Sequence, residues 1–340
     1  MTSPTISLAA FFPRLPPRLP AAWAAALEPC RRRAEAFRCD AMAVLELPLG
    51  GATAAFDFSV RLEEAEQCLE PAALPAAAAG VFAARRAGEL PRAWLPAIWL
   101  EYDLRQDPGR PPITCFRLGA EAPIEWIGGD LLPRLGFGLP PAALAAAAAA
   151  LARLPTSARP LYLFDLGARG RPALRCELAA EPESLAGWLV EIGATEQAAS
   201  LERLAALWRA GDQPSADQHR GDRPHVSLNF DGAWLPRIGL ENSFRGQPPG
   251  EERWRRQLDF LAEQGLALPA ETGWLLAWPG VETPGQPGWP ADAAGRPLPG
   301  WLVACLSHLK LARAPGAGIE AKAYLLFQYL AREVRTWPSR

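Results

Sequence analysis

Apolar and polar residues alternate with a period of two in ten short segments, which come in pairs joined by turn residues, the pattern of β-hairpins. The pairs are MAVLELPL and ATAAFDFSVRL across Gly-Gly (42–62), AIWLEYDL and ITCFRLG across RQDPGRPP (97–119), and PLYLFDL and ALRCEL across GARGRP (160–178). HVSLNFD and RIGLENSF follow around GAWLP (225–244), then WLVACLSHLKL and IEAKAYLLF around ARAPGAG (301–327). Between the pairs the period lengthens to 3.6, predicting amphipathic helices. Residues 21–38 bring Trp23, Leu27, Cys30, Ala34 and Phe37 to one face, and 141–153 form an alanine helix with Leu144 and Leu151. Residues 196–209 align Leu201, Leu204 and Trp208, and 251–266 align Trp254, Leu258 and Leu261. The segments 212–224 and 281–300 have no period and read as surface loops, the second, with Trp289, as a candidate lid.

Alternation also assigns the two faces of each strand. One face is apolar: Leu45, Phe58, Val60, Ile98, Leu100, Phe116, Tyr162, Phe164, Leu178, Val226, Ile238, Leu309 and Phe327 are representative. The other carries Glu46, Asp57, Arg61, Trp99, Glu101, Asp103, Arg117, Asp165, Arg175, Glu177, His225, Asp231, Arg237, Glu241, His308, Lys310, Glu320, Lys322 and Tyr324. An open antiparallel sheet covered by helices on one side leaves that second face in solvent. Closure into a barrel turns it into a wet lumen. Ten strands lie near the limit of an open twisted sheet, which favours closure. The expected fold is therefore α+β: a closed ten-stranded antiparallel β-barrel of five αββα units, with helices outside and a polar lumen. Residues 21–335 form one domain in this reading, preceded by an extended, surface-packed Pro/Arg-rich arm over 1–20.

Composition narrows the chemistry. A net charge of -2 gives no field to gather nucleic acid, and no uninterrupted apolar run is long enough for a membrane span. Six scattered cysteines without C-x-x-C spacing, and a start lacking a signal peptide's apolar stretch, predict a reduced cytoplasmic protein whose cysteines are small buried apolar residues. Of 35 basic residues only Lys310 and Lys322 are lysines, both on the polar face of one hairpin. Cross-strand neighbours lie roughly 4.5 to 8 Å apart, a bite suited to one phosphate. No G-x-x-x-x-G-K-[ST], H-E-x-x-H, G-x-S-x-G or D-D-x-x-D occurs, and G-A-G-I-E-A (316–321) precedes a strand, so it reads as a hairpin turn.

Five αββα units, this length and this face polarity resemble the aromatic prenyltransferases of the dimethylallyltryptophan synthase and cyanobactin peptide types. Lys322 and Tyr324 in A-K-A-Y are similar to the K-x-Y strands by which that family grips an allylic diphosphate. Glu46 with the following Arg61 is similar to its acceptor-facing acid and arginine. The resemblance implies an isoprenoid diphosphate co-substrate, an aromatic, guanidine or peptide acceptor in a bacterial modification pathway, and no metal or other cofactor. Arg61, Arg117, Arg175, Arg237, Lys310 and Lys322 are then the candidate diphosphate ligands, Trp99, Tyr324 and His308 line the substrate site, and Glu46, Glu101 or Glu241 takes the acceptor's proton. Nine acids on the same face against six cations require either that the charges separate along the barrel or that the acceptor is cationic. Each residue has a plainer role: the lysines as edge-strand charges, Glu46 as the ion-pair partner of Arg61, His225 and His308 as neutral hydrogen-bonded side chains. A non-catalytic peptide-binding scaffold fits the same face.

Overall fold

The structure, a computed structural model, describes residues 6–15, 18–51, 55–212, 224–244, 246–248, 250–314 and 316–331, with backbone alone at 21 and 22. Most of the expected 212–224 linker falls outside them. The paired segments form β1 (Met42–Pro48), β2 (Asp57–Leu62), β3 (Ala97–Tyr102), β4 (Ile113–Arg117), β5 (Arg159–Asp165), β6 (Leu174–Ala179), β7 (His225–Phe230), β8 (Trp234–Asn242), β10 (Trp301–Arg313) and β11 (Ile319–Leu330). A short β9 (Gly280–Glu282) falls in the segment read as a loop.

All pairings are antiparallel, and β1 pairs with β11, so the ten long strands close into a barrel. Closure sets Glu46 opposite Tyr324 and Pro48 opposite Lys322. β9 stays outside the ring, on the part of β10 that β8 leaves uncovered. α1 (Glu28–Ala34) precedes the first hairpin, and further helices lie between successive hairpins: α2 (Ala76–Arg86), α3 (Pro141–Leu151), α4 (Pro182–Glu191), α5 (Thr195–Asp212), α6 (Arg253–Glu263) and α7 (Pro269–Ala277). One large core joins outward strand residues such as Phe58, Phe116 and Leu240 to helix residues such as Leu151, Trp188, Leu204, Trp254 and Trp278. All six cysteines are buried. Among the described residues no helix is long and apolar enough to cross a membrane.

Four local expectations change. The helix expected over 21–38 is a 3-10 helix to Leu27 and α-helical only from Glu28 to Ala34, because Pro29 has no N–H for an i→i−4 bond. The expected surface arm contains a 3-10 helix (Leu8–Arg14) with Leu8 and Phe11 wholly buried, and Phe12 meets Phe58 and Phe327 edge-on over the outside of the barrel. Trp289 is a core residue rather than a lid: it is 9% exposed, packs against Phe11 and donates to Leu298 O. In β5 the register shifts between Pro160 and Tyr162, a bulge that reverses the strand's remaining faces. Tyr162 and Phe164 consequently share the face of Arg117, Cys115 and Arg175, while Leu163 packs outward. Asp165 leaves the lumen-side set and caps the next turn by accepting from Gly167 N.

Candidate active site

One end of the barrel opens into a chamber of about 570 Å³. Its cations are Arg105, Arg169, Arg175, Arg237, Lys310 and Lys322, and its acids Glu46, Asp57, Asp103 and Glu320. Arg105 and Arg169 were not among the predicted site residues. They lie beyond the ends of β3 and β5, in turns where alternation gives no direction, and both reach back into the mouth. Arg105 binds Asp57 (2.6 Å) and approaches Glu46 (3.6 Å), and Arg169 makes a two-point contact to Asp103 (2.7 and 3.0 Å). Arg237 sits at the exposed rim, bound to Glu320 at 2.7 Å.

The two lysines face each other across β10 and β11. Each is matched to a carboxylate across its other edge: Lys310 to Glu241 on β8, and Lys322 to Glu46 on β1 at 2.5 Å. Glu46 is thus paired with Lys322 rather than with Arg61, whose own partner is Glu63. Gly239 makes room for the Lys310 stem. A methyl group there would stand 2.7 Å from Lys310 Cε and 2.5 Å from Ser227 Oγ. Gly239→Ala is therefore expected to push Lys310 off Glu241 at a cost of about 1–3 kcal/mol, visible as a lower urea midpoint.

The three candidate acids behave differently. Burial alone raises the Glu46 carboxyl, but the Lys322 ammonium and a hydrogen bond from Tyr324 hold it well below the usual range. Burial likewise raises Glu241, and Lys310 with His308 reverses it. Glu101 has no such partner at contact distance among the described residues. Burial pushes its carboxyl up to about 7, with Arg175 opposing and Glu46 reinforcing. A carboxyl of that kind exchanges a proton near neutrality, whereas the two lysine-bound carboxylates stay ionised.

Tyr324 lies amid all three acids, whose charges add to burial in raising its phenol well above the ordinary value. Its ring stacks on His308 at 3.9 Å, and His308 Nε2 lies 3.4 Å from Glu241. Opposite, Ile113, Cys115, Phe164, Leu166 and Ala173 form an apolar cluster that Trp99 and Tyr162 border. Arg175 bonds Asn229 at 3.0 Å and stands 5.3 Å over the Phe164 ring. Glu177, His225 and Glu241 place ligand atoms within 4.8 Å of one another, the spacing of a metal's ligands. The Lys310 ammonium already neutralises Glu241 there, and His225 bonds Glu177 at 2.9 Å, so the group is a completed ion cluster. Arg61 and Arg117 are absent from the chamber lining: Arg61 is four residues along β2 from Asp57, about 13 Å away at 3.3 Å per residue.

The chain is similar to the crystal structure of the prenyltransferase PriB in its apo form, at 18% identity over 94% of this chain and 93% of that one, with a TM-score of 0.47. It is also similar to 5-dimethylallyltryptophan synthase from Streptomyces coelicolor (18% identity, 94% and 97% covered, TM-score 0.47). AnaPT from Neosartorya fischeri is similar at 10% identity, with 83% and 77% covered and a TM-score of 0.46. No family model and no curated protein matches the chain.

Proposed function

We propose that this protein is a prenyltransferase that moves an isoprenoid from its diphosphate to an aromatic, guanidine or peptide acceptor. The observation that carries the reading is the convergence of six cationic side chains on one chamber with Glu101 behind them. Ionisation of an allylic diphosphate breaks its C1–O bond, and the electron pair departs with the diphosphate. Preorganised cations in a partly enclosed site stabilise that growing charge. Each lysine ammonium has three donors, so bonding one carboxylate leaves two for phosphate oxygens. Phe164, Trp99 and Tyr324 offer ring faces to the allylic cation. The acceptor atom attacks C1, and its proton passes to the Glu101 carboxylate. The lining carries two more cations than carboxylates, an excess that can serve where a divalent metal serves elsewhere, so turnover is expected to persist in EDTA.

The test incubates the full chain with dimethylallyl or geranyl diphosphate and tryptophan, tyrosine, histidine and arginine peptides. Pyrophosphate release with a matching mass gain on one acceptor supports the reading, and neither event with any pair overturns it. The internal pairing of both lysines favours one other function, a non-catalytic peptide-binding scaffold whose groove charges are structural. Replacing Lys322 with Arg separates them: a scaffold keeps its peptide affinity, while a diphosphate site loses turnover because a planar fork replaces a compact charge.

A further inference from the structure

Tyr324 on β11 and His308 on β10 stand directly opposite each other in the chamber's polar wall. Ser307 is the extra residue of a β-bulge between Leu306 and His308. The change of phase it makes lets Leu306 and Leu309 both pack outward while His308 and Lys310 turn toward the bore. The two rings stack with centroids 3.9 Å apart and planes 17° from parallel. Tyr324 lines the chamber and His308 does not, so the imidazole backs the phenol ring. The imidazole is itself held: Nδ1 lies 3.3 Å from Ser307 Oγ, and Nε2 lies 3.4 Å from Glu241. The phenol hydroxyl in turn donates to Glu46, which faces Tyr324 across the closing seam of β1 and β11. Glu241, His308, Tyr324 and Glu46 thus form one chain of contacts across the neighbouring strands β8, β10, β11 and β1.

We propose that His308 is a positioning residue for prenyl transfer: stacked behind Tyr324, it fixes that ring with its open face toward the allylic carbon. The inference rests on the prenyl-transfer reading and deepens it by assigning a role to a side chain that meets neither substrate. A phenol tied only through its hydroxyl can still swing about its side-chain torsions. A second ring packed flat against its back removes that freedom, because any swing would break the stack. The placement matters because a ring face attracts a cation only when the charge sits over it, within about 6 Å of the centroid. A ring already in place stabilises the developing cation without reorganising as the C1–O bond breaks. Donation of the phenol hydroxyl to the Glu46 carboxylate adds electron density to the same ring. Bulges recur beside active sites because they re-aim one side chain, and here the side chain re-aimed is His308.

The test compares two variants of the full chain. His308→Gln keeps a polar amide beside Glu241 but removes the flat ring, and His308→Phe keeps the ring but removes both polar contacts. With dimethylallyl diphosphate and the acceptor that the wild type modifies, kcat should fall about 3- to 10-fold in His308→Gln, the worth of one aromatic pair. KM for both substrates should stay within about twofold, and His308→Phe should keep the wild-type kcat. His308→Asn serves if the glutamine variant melts without cooperativity. Isotope-labelled tyrosine gives a second readout that needs no turnover: the chain has four tyrosines, and Tyr324 is identified by the ring signal missing from Tyr324→Phe. That signal should lie upfield in the wild type and in His308→Phe, under the ring current of the neighbour, and move downfield in His308→Gln. A signal that stays in place in His308→Gln, or a kcat that His308→Phe does not keep, overturns the role. A signal that moves as expected in a protein that turns over no donor overturns prenyl transfer alone, while full kcat in His308→Gln with a moved signal overturns the positioning role alone.

Discussion

Replacing Glu101 with glutamine is expected to lower turnover by about 100-fold or more, the range for loss of a positioned general base, with diphosphate affinity unchanged. Glutamine keeps the size of the side chain and cannot take the acceptor's proton. The pH profile follows from the same group. With its carboxyl raised to about 7, the wild-type base is mostly protonated below neutrality. The activity kcat/KM should therefore rise about tenfold per pH unit up to roughly pH 7 and then level off, and the variant should lack that step. Stability moves the opposite way. A carboxyl raised above its unfolded value of about 4.5 holds its proton more tightly in the folded state, so folding stability falls as pH climbs from about 4.5 through 7. Some 2.5 pH units correspond to about 3 kcal/mol. Urea denaturation should find wild type and Glu101→Gln similar near pH 4.5, and the variant more stable by about that amount at pH 8. Parallel curves at both pH values would show that Glu101 is not a raised carboxyl.

The hairpins were legible because alternation is a local property. Each of the ten long strands lies within a paired segment or overruns its end by at most three residues, and Lys310 and Lys322 stand opposite each other as their hairpin requires. What alternation does not carry is register between hairpins. Lys310 meets Glu241 because β10 docks on β8, and Lys322 meets Glu46 only because β1 closes on β11. Each of those contacts depends on the closed ring as a whole. One extra residue near Leu161 turned Tyr162 and Phe164 inward, against a face assignment that assumed uniform pleating. The apparent excess of acids had a similar origin. Asp165 points outward, while Arg105 and Arg169 reach the mouth from turns that have no period. Three of the seven labelled helices escaped as well: α2 begins with four alanines that carry little amphipathic signal, and α4 and α7 each open on a proline that reads equally as a turn.

Lys310→Met is expected to cost about 3–5 kcal/mol of folding stability, because it leaves the Glu241 carboxylate buried without its ammonium. Lys310 and Glu241 are 10% and 8% exposed, so solvent screens the pair little. In the wild type the Glu241 carboxyl is held below its ordinary value. That pair contributes stability above the unfolded carboxyl range of about 4.5, and the contribution is lost as pH falls through the lower folded value. Removing the ammonium reverses the sign, since burial then acts alone and raises the carboxyl. The deficit of Lys310→Met should accordingly be greatest at pH 8 and shrink at pH 5, where Glu241 takes up a proton and no longer needs a countercharge. Lys310→Met with Glu241→Gln should recover most of the loss at pH 8, because no uncompensated charge remains in the wall. Turnover separates the two uses of the lysine: the double variant should fold nearly as well as wild type and still fail to release pyrophosphate. A double variant that stays as unstable as Lys310→Met would mean that the lysine stem, seated against Gly239 and Ser227, supports the wall by packing rather than by charge.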